Sequence, residues 1–211
     1  MKPLAQCRLY TFVDTAYLRG RAATTVARQL CAGGSDLIQL RAKGVEKKDV
    51  LRMGREILPI IRDFDAGLVI NDHWDIACEL GADLCHLGQE DFFDAPNTLR
   101  RGPFDPGLGL STHAPEQAAR ATAAAPAYIA IGPVFATPTK PTAPAVTLEY
   151  VRWAAQNVTI PWFAIGGINL ENLRHIISAG ATRICVVSAI LDSPDIAKAC
   201  RDFKNALISL D

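Results

Sequence analysis

The residues able to do chemistry in this chain fall into short polar groups, each directly after an apolar run. Gln39, Arg41 and Lys43 alternate within Gln39-Leu40-Arg41-Ala42-Lys43, so on an extended backbone they share one face. Two cations side by side suit a diphosphate: arginine offers a planar fork and lysine a mobile point charge. The same residues would also serve as a solvated strand end. Asn71-Asp72 follows Leu68-Val69-Ile70, and Asp91 closes the run His86-Leu-Gly-Gln-Glu-Asp91. Magnesium is commonly held by one or two carboxylates, with waters and phosphate oxygens completing its shell. Asp72 and Asp91 beside Arg41 and Lys43 would therefore compose a metal-diphosphate site, with Glu90 as a neighbouring ligand. The plainer alternatives are a helix cap for Asp72 and a turn residue for Asp91. His86 is expected to pack and hydrogen-bond at its strand end rather than to ligate a metal.

Three further groups lie downstream. Ser111, in Gly109-Leu-Ser-Thr-His113, is placed either to hydrogen-bond a leaving group or to cap the next helix. No Ser-His-acid pattern accompanies it, which argues against a hydrolase triad. Residues 132–144 form a Pro- and Thr-rich stretch carrying Thr137, Pro138, Thr139 and Lys140. A long connection of this kind inside a small domain is usually functional, and its lysine could reach a phosphate. Gly166-Gly167 and Val187-Ser188 end two later apolar runs, each just before a helical pattern. Backbone N–H groups there are open to a phosphate.

Strands must position these groups. Eight apolar, β-branched runs cover residues 8–13, 36–40, 68–70, 83–87, 107–110, 127–131, 162–165 and 183–187. Continuous runs such as Gly67-Leu-Val-Ile and Tyr128-Ile-Ala-Ile read as strands buried on both faces, hence a parallel sheet. Helical patterns over 20–32, 47–62, 115–124, 148–156, 170–179 and 194–210 separate them, with a short helix expected within 91–101. Pro59 should end or kink its helix, Asn169 and Ser193 read as N-caps, and Pro194 suits a first helical position. Eight strand-helix units predict a single (β/α)8 barrel over residues 1–211, rather than an open doubly wound sheet. Barrel chemistry lies at the C-terminal ends of strands, where all these polar groups fall.

Composition is compatible with this. The 211 residues carry 22 Lys and Arg against 22 Asp and Glu, a net charge of zero. That balance argues against a general nucleic-acid or anionic-membrane binder and leaves room for a local basic pocket. Six cysteines without a C-x-x-C pair predict buried, reduced thiols. No apolar run approaches the length of a membrane span, and residues 1–8 lack the apolar core of a signal peptide. A cytoplasmic setting is expected; whether copies assemble into a homo-oligomer is left open.

Taken together the motifs resemble the thiamine phosphate synthase family, in the superfamily shared with thiazole tautomerases. The carriers are Gln39-Leu-Arg-Ala-Lys43, Ile70-Asn-Asp72, His86-Leu-Gly-Gln-Glu-Asp91, Gly109-Leu-Ser-Thr-His113, Gly132-Pro-Val-Phe-Ala-Thr-Pro-Thr-Lys140, Ala164-Ile-Gly-Gly-Ile168 and Val187-Ser-Ala-Ile190. The resemblance implies a transferase that joins a hydroxymethylpyrimidine diphosphate to a thiazole phosphate. It implies that residues Gln39, Leu40, Arg41, Ala42 and Lys43, with Asn71, Ser111 and Lys140, bind the pyrimidine diphosphate. Arg41, Lys43, Ser111 and Lys140 would then act in catalysis, and Asp72 and Asp91 would bind Mg2+. Thr137, Pro138, Thr139, Gly167, Val187 and Ser188 would take the thiazole phosphate. The chain departs from the family pattern at Ala42, where glutamate is usual, and at Ala136, where proline is common. The rival readings are a thiazole tautomerase-like isomerase, which tends to lose the metal-diphosphate set, and a non-catalytic phosphate-binding barrel.

Overall fold

The computed structural model describes residues 1–94, 102, 105–137 and 145–209. Eight parallel strands close into a barrel in sequence order. They are β1 (Leu9–Asp14), β2 (Leu37–Arg41), β3 (Gly67–Asn71), β4 (Leu84–Leu87), β5 (Gly107–Thr112), β6 (Tyr128–Ile131), β7 (Trp162–Ile165) and β8 (Ile184–Cys185). β8 returns to β1 with Leu9 opposite Ile184, so the sheet has no free edge. The helices are α1 (Ala23–Ala32), α2 (Lys47–Asp63), α3 (Trp74–Leu80), α4 (Gln89–Phe93), α5 (Pro115–Ala123), α6 (Thr147–Asn157), α7 (Leu173–Ser178), α8 (Ser188–Leu191) and α9 (Ile196–Ser209). The (β/α)8 architecture expected from the eight apolar runs is the one observed.

Strand parity divides the core. Ile38 and Leu40 of β2 are fully buried in the apolar layer, while Gln39 and Arg41 line the cavity at the mouth. The helices cover the barrel with apolar stripes. α2 buries Val50, Met53, Ile57, Ile60 and Ile61. All six cysteines are free, as expected, and five are buried; Cys78 is exposed.

The structure corrects several helix boundaries. α2 runs through Pro59 to Asp63. Pro59 lies on the exposed side of the helix, while Ile57, Ile60 and Ile61 anchor the turns on either side. α7 begins at Leu173 rather than near Leu170, because Asn169 and Asn172 satisfy each other's backbone N–H groups, both at 2.9 Å, and hold an intervening turn. α9 begins at Ile196, and Asp195 rather than Ser193 accepts from the first turn, from the Lys198 N–H at 2.8 Å. The short helix expected within 91–101 is α4, shifted toward β4; residues 95–101 lie outside the described set.

At the N-terminal rim a single carboxylate gathers both ends of the described fold. Asp36 is 4% exposed and accepts from the N–H groups of Arg8 (2.7 Å) and Leu9 (2.9 Å). Lys204 of α9 donates to it at 2.6 Å, and Lys2 also pairs with it. Burial alone would raise its pKa, but these hydrogen bonds and cations together outweigh that and hold it below the ordinary carboxylate range. A lowered folded pKa means stability that is present at neutral pH and lost as pH falls through the folded value. Asp36→Asn is accordingly expected to lose about 2–3 kcal/mol at pH 7, less at acid pH, with turnover of the remaining folded enzyme unchanged. Melting curves across pH check this; a deficit that does not shrink in acid would contradict it.

Candidate active site

The C-terminal ends of the strands surround a cavity of about 300 Å³. Its floor is aromatic. Tyr10 stacks on Phe12 with ring centroids 5.3 Å apart and meets Tyr128 and Phe163 edge-on at 5.8 and 5.4 Å. Cys185 also lines it, 2% exposed, and burial pushes its thiol well above the ordinary range, which leaves it a poor nucleophile.

One wall is the charged group. Arg41 and Lys43 come from the end of β2, Asn71 and Asp72 from the end of β3, and Asp91 from α4 just beyond β4. Arg41 donates to the Asp14 carboxylate at 2.8 Å, and Asp14 is only 1% exposed. The other Asp14 oxygen accepts from the Ala16 N–H at 3.0 Å, so the acid is fixed before it fixes the arginine. Asp14 was not among the residues expected from sequence. Its signal was parity: it ends the first apolar run in phase with Tyr10 and Phe12.

Lys43 pairs with Asp72. Asp72 is therefore not a helix cap: the N-cap position of α3 is His73, which makes no side-chain cap bond. Asp72 sits in the left-handed region at φ +65°, and its N–H donates to the His86 carbonyl at 2.9 Å. Such backbone is tolerated best by Asp and Asn and recurs at functional sites. Gly88 makes room for the second acid. A Cβ there would stand 2.8 Å from an Asp91 carboxylate oxygen. No group of three or more His, Cys, Asp or Glu side chains among the described residues is placed to hold a metal. Two carboxylates on one wall still suit a magnesium ion that arrives with phosphate oxygens.

Ser111 does not cap α5, whose N-cap position is Ala114. Its Oγ lies 2.8 Å from His86 Nε2, and its carbonyl accepts from Gln89 Nε2 at 2.7 Å. His86 packs and hydrogen-bonds at the end of β4, as expected, and it also lines the cavity. Gln89, His113 and Gln117 line it too, and only their position after β4 and β5 hinted at this.

The opposite wall is Gly166-Gly167 after β7 and Val187-Ser188 after β8, with Thr137 from the loop after β6. Gly166 and Gly167 adopt φ of +104° and +62°. A Cβ on Gly166 would meet Pro133 at 2.4 Å, and one on Gly167 would meet Phe135 and Ala136 within 2.8 Å. The two glycines thus let the loops after β6 and β7 pack together, as well as leaving a backbone that a phosphate can approach.

Of the site residues expected from sequence, Gln39, Arg41, Lys43, Asn71, Asp72, Asp91, Ser111, Thr137, Gly167, Val187 and Ser188 line this one cavity. Leu40 and Ala42 do not; both side chains are buried in the apolar core, which follows from their opposite parity on β2. Pro138, Thr139 and Lys140 lie outside the described residues.

The family model for thiamine monophosphate synthase matches residues 9–190. The chain belongs to the thiamine monophosphate synthase family. It is 49% identical over 178 residues to a thiamine-phosphate synthase from Thermus thermophilus, covering 83% of this chain and 84% of that one. It is 44% identical over 205 residues to the Acidothermus cellulolyticus thiamine-phosphate synthase, covering 95% and 94%. The solved thiamine phosphate pyrophosphorylase from Pyrococcus furiosus superposes with a TM-score of 0.84 at 27% identity, covering 99% of both chains. The activity is thiamine phosphate synthesis, and the enzyme is a transferase. Among the described residues no helix is long and apolar enough to cross a membrane.

Proposed function

We propose that this cavity couples 4-amino-2-methyl-5-hydroxymethylpyrimidine diphosphate to 4-methyl-5-(2-hydroxyethyl)thiazole phosphate, or to its carboxylated form, with release of diphosphate and, from the carboxylated form, of carbon dioxide. The observation that carries this reading is the placement of two cations, two carboxylates and Ser111 on one side of a single cavity, facing Gly167 and Ser188 on the other. Gln39 and Asn71 orient the pyrimidine. Arg41, Lys43, Ser111 and Lys140 receive the diphosphate. Thr137, Pro138, Thr139, Gly167, Val187 and Ser188 receive the thiazole phosphate. Leu40 and Ala42, with side chains turned into the core, serve as backbone at that wall.

Asp72 and Asp91 would hold Mg2+, which when bound supplies positive charge to the departing diphosphate. The residue types call for no strong nucleophile. The bond between the pyrimidine methylene and the diphosphate oxygen breaks with its electron pair leaving on oxygen. The aminopyrimidine ring stabilises the resulting cation, and the thiazole nitrogen lone pair closes the new C–N bond. The protein holds the two substrates in line and stabilises the leaving group. One closed barrel through the described residues supports reading 1–211 as a single catalytic domain. Balanced charge suits small-molecule substrates in the cytoplasm, without nucleic-acid or membrane partners.

The test is incubation of the purified protein with both substrates and magnesium, with thiamine phosphate measured as product. Formation of thiamine phosphate is expected. Isomerisation of a thiazole without coupling would favour the tautomerase reading, and binding without conversion a non-catalytic barrel.

A further inference from the structure

Three side chains, Tyr10, Tyr128 and His86, join Gln39 to Ser111 by a continuous line of hydrogen bonds. Gln39 Nε2 donates to Tyr10 Oη at 2.5 Å. Tyr10 Oη lies 2.9 Å from Tyr128 Oη, which lies 2.9 Å from His86 Nδ1. His86 Nε2 lies 2.8 Å from Ser111 Oγ. The line passes through β2, β1, β6, β4 and β5, so no local sequence motif could have revealed it.

Its members are held firmly. Tyr10 and Tyr128 are at most 1% exposed, and Gln39 is 3% exposed. The Tyr128 ring stacks on His86 with centroids 5.7 Å apart. Gly109 of β5 makes space for it, since a Cβ there would stand 2.2 Å from the ring. Burial pushes both phenols well above their ordinary range, so each carries one proton.

The chain has a direction. An amide N–H can only donate, so Tyr10 Oη accepts from Gln39 and has its single proton left for Tyr128. Tyr128 in turn donates to His86 Nδ1. That nitrogen must then be the bare one, and the neutral imidazole carries its proton on Nε2. Nε2–H donates to Ser111 Oγ, which frees the serine proton for the cavity that Ser111 lines. Reversed polarity would send the serine proton to His86 and leave the leaving group without this donor.

We infer that Tyr10, Tyr128 and His86 are positioning residues: the Gln39–Tyr10–Tyr128–His86 chain fixes the His86 tautomer and so commits Ser111 as a hydrogen-bond donor toward the diphosphate. The inference rests on the assignment of Ser111 to the diphosphate. It adds a link between the two ends of the pyrimidine substrate. Gln39, oriented by its bond to Tyr10, keeps its carbonyl oxygen for an amino group, and the same bond sets the donor four groups away.

The experiment combines imidazole 15N shifts with kinetics. The chain has four histidines, so His86 is assigned by loss of its signals in His86→Gln. In the wild-type enzyme without substrate, His86 is expected to be protonated on Nε2 alone. Tyr128→Phe keeps the ring and removes the link. It is expected to release the tautomer to a mixture and to lower kcat about tenfold, with KM for the pyrimidine diphosphate little changed. Tyr10→Phe should release the tautomer and lower kcat in the same way, while also raising KM for the pyrimidine diphosphate because Gln39 loses its partner, and it serves if Tyr128→Phe folds poorly. His86→Gln, whose amide N–H can replace Nε2–H, should retain more turnover than His86→Ala. A wild-type His86 protonated on Nδ1 would overturn the inference, as would full turnover in Tyr128→Phe while Ser111→Ala loses it. Full turnover in Ser111→Ala would instead remove the assignment of Ser111 to the diphosphate, and the catalytic purpose of the chain with it.

Discussion

Asp91→Ala is expected to lower turnover about 100- to 1000-fold while leaving the melting temperature within a degree or two of wild type, the size typical for removing one stabiliser of transition-state charge. The asymmetry follows from where the residue lies. Asp91 belongs to the five-residue helix α4, where neither Gln89, Glu90, Asp91, Phe92 nor Phe93 is buried, and it contributes little to the core. Its carboxylate folds back over Gly88 toward the cavity, and that is its value if it holds magnesium. Asp72→Asn should show a comparable loss. Asparagine is the better replacement there, because alanine at φ +65° adds backbone strain of about 1–2 kcal/mol and would blur the comparison. Turnover is measured with and without a chelator, beside a melting curve for each variant. Wild-type turnover in both Asp91→Ala and chelated enzyme would remove the metal from the mechanism.

Arg41→Met is expected to fail in both measurements. Turnover should fall by roughly the same 100- to 1000-fold, because a cation facing the diphosphate is gone. Stability should also fall, by about 2–3 kcal/mol, because Asp14 is left charged and 1% exposed with, among the described residues, the Ala16 N–H against one oxygen. A second change separates the two effects. Arg41→Met combined with Asp14→Asn removes the stranded charge, so it should regain much of the stability and none of the turnover. Parallel recovery of both would mean that Arg41 acts only through the fold.

The sequence made the barrel legible because the signals were redundant. Eight apolar runs alternate with helical stripes, and an error in one boundary changed nothing about the count. The cavity wall was legible for a different reason: Arg41, Lys43, Asp72 and Asp91 are polar where an apolar run has just ended, and parity aligned the first two. Helix starts were less legible. At Ser193 a capping residue stands where the chain forms a local turn instead; Asn169 does accept from the Asn172 N–H as a cap would, but the return bond from Asn172, which sets where α7 begins, depends on geometry that composition does not carry. The roles of Asp14 and Tyr128 were hidden more deeply. Each looks like an ordinary end or member of an apolar strand until its partner is brought in from another strand: Arg41 from β2, and His86 from β4.

The two rims of the barrel answer to different demands. At the N-terminal rim Asp36 ties the start of β1 to α9, far from any reacting atom, and at the opposite rim the polar residues stand at strand ends whose loops can vary without breaking the barrel. A lineage can therefore retune heat tolerance by exchanging residues around Asp36 while its catalytic repertoire drifts by substitution in the loops of the other rim. Asp14 is the exception. It lies at the catalytic rim yet is as buried as the core, so selection for substrate and selection for persistence meet in one side chain, and it should be among the slowest positions to change.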